Sequence, residues 1–238
     1  MKDHIDLVGR LFTGIHLTLD YYISAGEQNN TNLSRTIRTG KVEEGVSKDK
    51  PASKIAAGED LREKAIGNYK TAVSFAFLRK DRTLNDEIES GDFIRNSIWI
   101  LNEGIIDQGV SILRTHEIPP EKGYGCPTKQ LPESFDRFCR WYADATQQPM
   151  TDHKLSEYCA MTEKIVDKDA HFFKDGCGRI SRLLSMFLCM RNNAPVRLHK
   201  ERERHYDRMD PKAPLESLFE PESAMKWIEH YRGLPLIL

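Results

Sequence analysis

The twelve residues HFFKDGCGRISR, from His171 to Arg182, gather groups that could do chemistry: a histidine, an acid, a Gly-Cys-Gly turn and two arginines three apart. Gly176, Cys177 and Gly178 stand where one helix should end and the next begin. Glycine there lets main-chain N–H groups converge into a concave nest. The positive end of a helix dipole adds to such a nest, and phosphate is the anion it suits. Arg179 and Arg182 share one helical face and are expected to reach outward to further phosphate oxygens. Asp175 would repel a bare phosphate, so an acid in this position implies Mg²⁺ between the two, held by one carboxylate plus phosphate oxygens. An imidazole as a side chain titrates near neutrality, so His171 could take a proton from an attacking hydroxyl, help worth ~10²–10⁴-fold. Read together, the residues describe phosphoryl or nucleotidyl transfer. A helix–turn–helix connection with solvated arginines and a histidine cap remains the alternative for an isolated Gly-x-Gly-Arg.

Helices must position this string. Thr151 reads as an N-cap before Leu155, Tyr158, Cys159, Thr162, Ile165 and Val166, a helix that runs directly into it. ISRLLSMFLCMRNN, which follows, is apolar on nearly every side and ends before Pro195, so it reads as a central buried helix. Upstream, apolar residues recur at helical spacing from Ile5 to Ile23, from Leu61 to Phe77 and from Phe93 to Ile105. Pro132 opens another helix carrying Phe135, Phe138, Cys139 and Tyr142, and PESAMKWIEHYRG closes the chain with a last one. Residues 26–58 are polar and Gly/Ser/Asn-rich, so residues 1–58 read as a helix plus connection and 59–238 as the main body. Strand character is confined to GVSILRTHEIPPEKGYGCP, residues 109–127, which predicts a β-hairpin or flap.

Composition bounds the rest. The 238 residues suffice for one core, and a net charge of −1 supplies no field to draw nucleic acid. The run RLHKERERH interleaves its arginines with glutamates and reads as a solvated helix face rather than a nucleic-acid contact. Five dispersed cysteines fit a reduced setting better than a disulfide framework or structural zinc. MKDHIDLVGRLF has no signal-peptide pattern, and no stretch approaches the ~18 uncharged residues of a membrane span. A cytoplasmic protein, or an effector delivered by another signal, is expected.

The string resembles the signature of the Fic (filamentation induced by cAMP) family, HxFx[D/E]GNGRxxR, at His171, Phe173, Asp175, Gly176, Gly178, Arg179 and Arg182. A looser resemblance runs from about residue 60 to 206, including GVSILR and PPEKGYGCPTKQLPESFDRF. The resemblance implies an all-helical core with one short β-hairpin flap. It implies transfer of AMP from Mg·ATP to a Ser, Thr or Tyr hydroxyl of a target protein docked at the flap, residues 116–131. In that scheme His171 is the base, Asp175 the Mg²⁺ ligand, 176–178 the nest, Arg179 and Arg182 the phosphate clamps, and Phe173 the core anchor. Tyr206 resembles an aromatic near the nucleotide base, a surface tyrosine being the alternative.

Two positions depart from the signature. Phe172 replaces a proline, a change expected to cost little. Cys177 replaces an asparagine whose amide could donate to the nucleotide, so activity could be reduced or aimed at another donor such as UTP or CDP-choline. A thiol at a helix N-terminus beside an arginine also suggests oxidation as a gate. TGKVEEG resembles the family's inhibitory helix, [S/T]xxxE[G/N], with Glu43 as the residue that would pair with Arg182. Glu44 departs from that pattern, and a solvated acidic turn is the alternative. Kinase chemistry and a non-catalytic binding module also stay open, as does self-association.

Overall fold

The computed structural model describes residues 53–105, 111–197 and 209–237, with side chains described within these ranges from residue 63 to 236. The expected helix from Ile5 to Ile23, Glu43 and Tyr206 lie outside these residues. Among the described residues six α-helices make the body: α1 Ser53–Phe77, α2 Glu87–Asn102, α3 Leu131–Gln147, α4 Asp152–Lys164, α5 Cys177–Arg191 and α6 Met225–Arg232. α1 starts at Ser53, within the stretch read as a connection. Ala56 and Ala57 are strong helix formers there, but the Gly58 beside them reads as a break.

Local chemistry explains the ends of these helices. The Asp86 carboxylate accepts from the Ile88 and Glu89 amides at 2.9 Å each, capping α2 with the first-turn acids Glu87 and Glu89 beside it. Thr151 caps α4 by accepting from Lys154 N, and Pro132 occupies the first turn of α3, where a missing N–H costs nothing. α5 is the central element: Ile180, Leu183, Leu184, Phe187 and Leu188 are all fully buried. It packs on α1, α2, α3 and α4. Tyr142 of α3 donates from its hydroxyl to Leu184 O at 2.8 Å, and Trp227 of α6 donates from Nε1 to Ala160 O at 2.9 Å. Both buried aromatic rings thus keep their polar ends satisfied.

Strand structure is minimal. β1 Val196–Arg197 pairs antiparallel with β2 Leu236–Ile237 near the C-terminus. The β-hairpin expected over 109–127 is absent among the described residues 111–127, which form an irregular segment with one 3-10 turn at Pro120–Lys122. Pro119, Pro120 and Pro127 lack the N–H groups a ladder needs. The strand character of Ile112 and Leu113 is used elsewhere, in an isolated antiparallel bridge from Leu113 to Phe173. All five cysteines are buried and free. No helix among the described residues is long and apolar enough to cross a membrane.

Candidate active site

The approach to His171 is a change of helix type. After Lys164 the α4 backbone widens into a π-helical turn, Ile165–Asp169, closed by Ala170 N donating to Ile165 O at 2.9 Å. Such turns are rare and recur at functional sites. This one is held by charges taken out of water: Lys164 Nζ lies 2.8 and 2.9 Å from the two Asp169 oxygens, with both side chains essentially inaccessible. Asp169 also accepts from Ala213 N at 3.0 Å, and Lys168 Nζ donates to Asp210 O at 2.7 Å. Burial pushes the Asp169 carboxyl above its ordinary range, and Lys164 pulls the other way.

The chain then turns sharply at His171, whose φ of 48° places a non-glycine residue in the left-handed region. That conformation costs ~1–2 kcal/mol and needs support from its surroundings. In a continuing α-helix the Asp167 carbonyl would receive the His171 N–H; here the ring takes over, Nδ1 lying 2.8 Å from Asp167 O. A carbonyl only accepts, so Nδ1 carries the proton and Nε2 is the nitrogen with the basic lone pair. Tyr124 lies across the imidazole, ring centroids 4.9 Å apart.

Phe172 and Phe173 both point into the core, 0 and 1% exposed. Phe135 meets both edge-on at 5.4 and 5.9 Å, and Phe138 packs on Phe172 at 5.4 Å. Phe172, expected only to be tolerated in place of a proline, is therefore a second anchor.

Gly176 adopts φ 82°, which only glycine takes without strain, and a Cβ there would crowd Arg179 Nη2 and Asn102 Oδ1 at 3.2 Å. Its amide donates to Asp175 Oδ1 at 2.7 Å, so the acid of the string holds one nest amide itself. The first α5 bond runs from Ile180 N to Gly176 O at 2.9 Å. The i→i−4 ladder of α5 therefore begins at Ile180, after Gly178 and Arg179. A Cβ on Gly178 would lie 3.3 Å from Asp167 Oδ2, so the second glycine makes room for a buried carboxylate behind the helix start. Cys177 is 3% exposed, and its thiol faces Phe173 O at 3.6 Å. That position suits a small packed residue better than a solvent-reached redox gate.

The two arginines divide. Arg182 is partly exposed on α5. Arg179 does not reach outward: Nη1 donates to Leu101 O at 3.0 Å, Nη2 donates to Asn102 Oδ1 at 2.9 Å, and Nη2 lies 3.6 Å from Asp175 Oδ2. Its guanidinium closes the C-terminus of α2, whose last carbonyls have no helical partner. Burial lowers its pKa, and Asp175 opposes the shift. Asn102 in turn donates from Nδ2 to Asp175 O at 3.3 Å.

Sequence reasoning missed Asn102, Arg114, Asp167 and Tyr124. Arg114, a lone charge in the apolar stretch GVSILR, carried a readable signal. Among the described residues no group of three His, Cys, Asp or Glu side chains gathers as a metal site. Asp175, 19% exposed, is the carboxylate of the string open to a cation. One carboxylate with phosphate oxygens and water is a normal Mg²⁺ environment, so the residues fit that ion.

Comparison with solved structures gives a match over the whole body. The crystal structure of a Fic domain-containing signalling protein from Bacteroides thetaiotaomicron aligns with 98% of this chain and 86% of its own, at a TM-score of 0.65 and 15% identity. The fold is that of a Fic-domain protein. No family model matches the chain, and no curated protein matches it. At this identity the shared Fic fold carries the likeness, and the mostly helical expectation is met.

Proposed function

We propose that this Fic-fold chain is a nucleotidyltransferase that moves AMP from Mg·ATP to a Ser, Thr or Tyr hydroxyl of a target protein. The observation that carries the reading is the hydrogen bond from His171 Nδ1 to Asp167 O, which makes Nε2 the ring nitrogen able to take a proton, on a residue five positions before the left-handed Gly176 that opens α5. The target hydroxyl oxygen attacks the α-phosphorus, its proton passes to His171 Nε2, and the bond from phosphorus to the pyrophosphate oxygen breaks. The α5 amides after Gly176 and the Arg182 guanidinium would carry the polyphosphate. Asp175 would hold Mg²⁺, which when bound neutralises phosphate charge. The target would dock on the segment around 116–131, and Tyr206 and Glu43 keep their proposed roles at the base and at Arg182.

The nest reads phosphates rather than bases, so UTP, CDP-choline or phosphate transfer are variants of the same reading. Incubation with Mg²⁺ and labelled nucleotides tests it, wild type beside His171→Ala, with intact mass read on the protein and on a lysate. Addition of one nucleotidyl group by wild type and none by the variant is expected. No addition with any donor would overturn the enzymatic reading in favour of a binding module.

A further inference from the structure

We infer that Arg114 is a positioning residue for the proposed transfer, holding the backbone of His171 so that the imidazole keeps its Nε2 toward the reacting hydroxyl. Arg114 is 2% exposed, so its charge does not serve the surface. Its Nε donates to His171 O at 2.8 Å and its Nη1 to His116 O at 2.9 Å. Nη2 donates to Cys126 O and lies 3.4 Å from Ala170 O. One planar fork therefore binds the carbonyls on both sides of the Ala170–His171 step and two more on the segment that crosses it. Its own amide donates to Phe172 O at 2.9 Å, so main chain and side chain bracket His171 from one side.

The same segment returns to seal the arrangement. Gly125 N donates to Lys168 O at 2.7 Å, Cys126 N donates to Ala170 O at 3.1 Å, and Lys212 Nζ donates to Gly125 O at 2.9 Å. Tyr124, flanked by two left-handed glycines, then lies against the His171 ring. A Cβ on Gly125 would stand 3.3 Å from Arg114 Nη2 and 2.6 Å from Ile118 Cδ1, so the turn is shaped around the guanidinium. Lysine cannot reproduce a planar fork of five donors, which makes Arg114→Lys a test of geometry at constant charge.

The inference rests on the proposed transferase reading, and its test separates the two. In Arg114→Lys, kcat is expected to fall ~10²-fold with KM for the nucleotide unchanged, the loss that a misplaced catalytic group produces. An Ile228→Val variant, remote from the site, serves as a control for lost stability and should keep its kcat. Nitrogen-15 NMR of the imidazole gives a readout independent of activity. Wild type should show the Nδ1-protonated neutral form, and Arg114→Lys a mixture of tautomers. Should Arg114→Lys not fold, Arg114→Gln, which retains a donor for His171 O, takes its place. An unchanged kcat with an unchanged tautomer overturns the inference. If wild type transfers nothing at all, the transferase reading fails while the tautomer alone still decides the role of Arg114.

Discussion

Replacing Arg179 by methionine distinguishes an arginine that braces the fold from one that faces phosphate. The side chain is 12% exposed and donates two charge-assisted hydrogen bonds, at 3.0 Å to Leu101 O and 2.9 Å to Asn102 Oδ1. Hydrogen bonds to a charged group contribute ~1.5–3 kcal/mol each. Leu101 O also receives Asn68 Nδ2 at 3.4 Å, so one acceptor is not stranded by the change. The 3.6 Å pair with Asp175 adds under ~1 kcal/mol at its partial exposure. A methionine refills most of the volume, so the net loss should be about 3 kcal/mol, dominated by Asn102 and the α2 terminus. In a chain of this size that is a fall in Tm of about 6–12 °C. Thermal unfolding followed by circular dichroism measures it. A solvent-facing arginine would change stability by under ~0.5 kcal/mol, so a Tm within about 2 °C of wild type would refute the bracing role.

Gly176→Ala should cost about 1–2 kcal/mol in urea unfolding, because φ 82° penalises any Cβ and Arg179 and Asn102 stand 3.2 Å from it; an unchanged midpoint would refute the claim that this turn requires glycine. Stability should also decline in alkali. Burial pushes the Cys139 thiol from 9.0 up to about 12 and raises the Tyr142 and Tyr231 hydroxyls well above their usual value. The folded chain then keeps protons that the unfolded chain releases. The contribution is complete below pH ~9 and is lost as pH rises toward 12, about 4 kcal/mol for Cys139 by the end of that range. Urea midpoints that stay flat from pH 9 to 11, or that fall equally in Cys139→Ala, would contradict this assignment.

The surface helices were legible because each buries an apolar stripe at a spacing that sequence displays directly, as Phe93, Ile94, Ile98 and Leu101 do in α2, and α5 because it is apolar on nearly every side. The string from His171 to Arg182 was legible because its parts are contiguous. Its supports were not, since Arg114 acts across 57 positions and Asn102 across 73, and a hydrogen bond to a distant carbonyl leaves no local period. The hairpin misled for the opposite reason. Ile112 and Leu113 do have strand character, but local propensity cannot say that the partner is Phe173 rather than a neighbour in the chain. The inward turn of Arg179 was equally hidden, because three-residue spacing assigns a helical face and not what lies above it.

The π-helical turn ties these long-range supports to the proposed chemistry. Spacing within the string predicts that 176–178 bind the anion, yet the Gly176 amide already serves Asp175. The first α5 bond is that of Ile180, so a helix start of this kind directs the amides of Gly178 and Arg179, further on, outward from the helix. Under the proposed reading a phosphate centred there would need main-chain N–H groups only, and the thiol of Cys177, turned toward Phe173 O, would not weaken such a nest. The asparagine-to-cysteine departure then acts through one side-chain hydrogen bond at most. Access to the amides instead depends on where the π-helical turn puts Asp167, whose carboxylate stands behind Gly178 while its carbonyl orients His171. The same residue thereby adjoins both the proposed base and the proposed phosphate-binding turn, so under that reading the register of those five residues bears on both halves of the site.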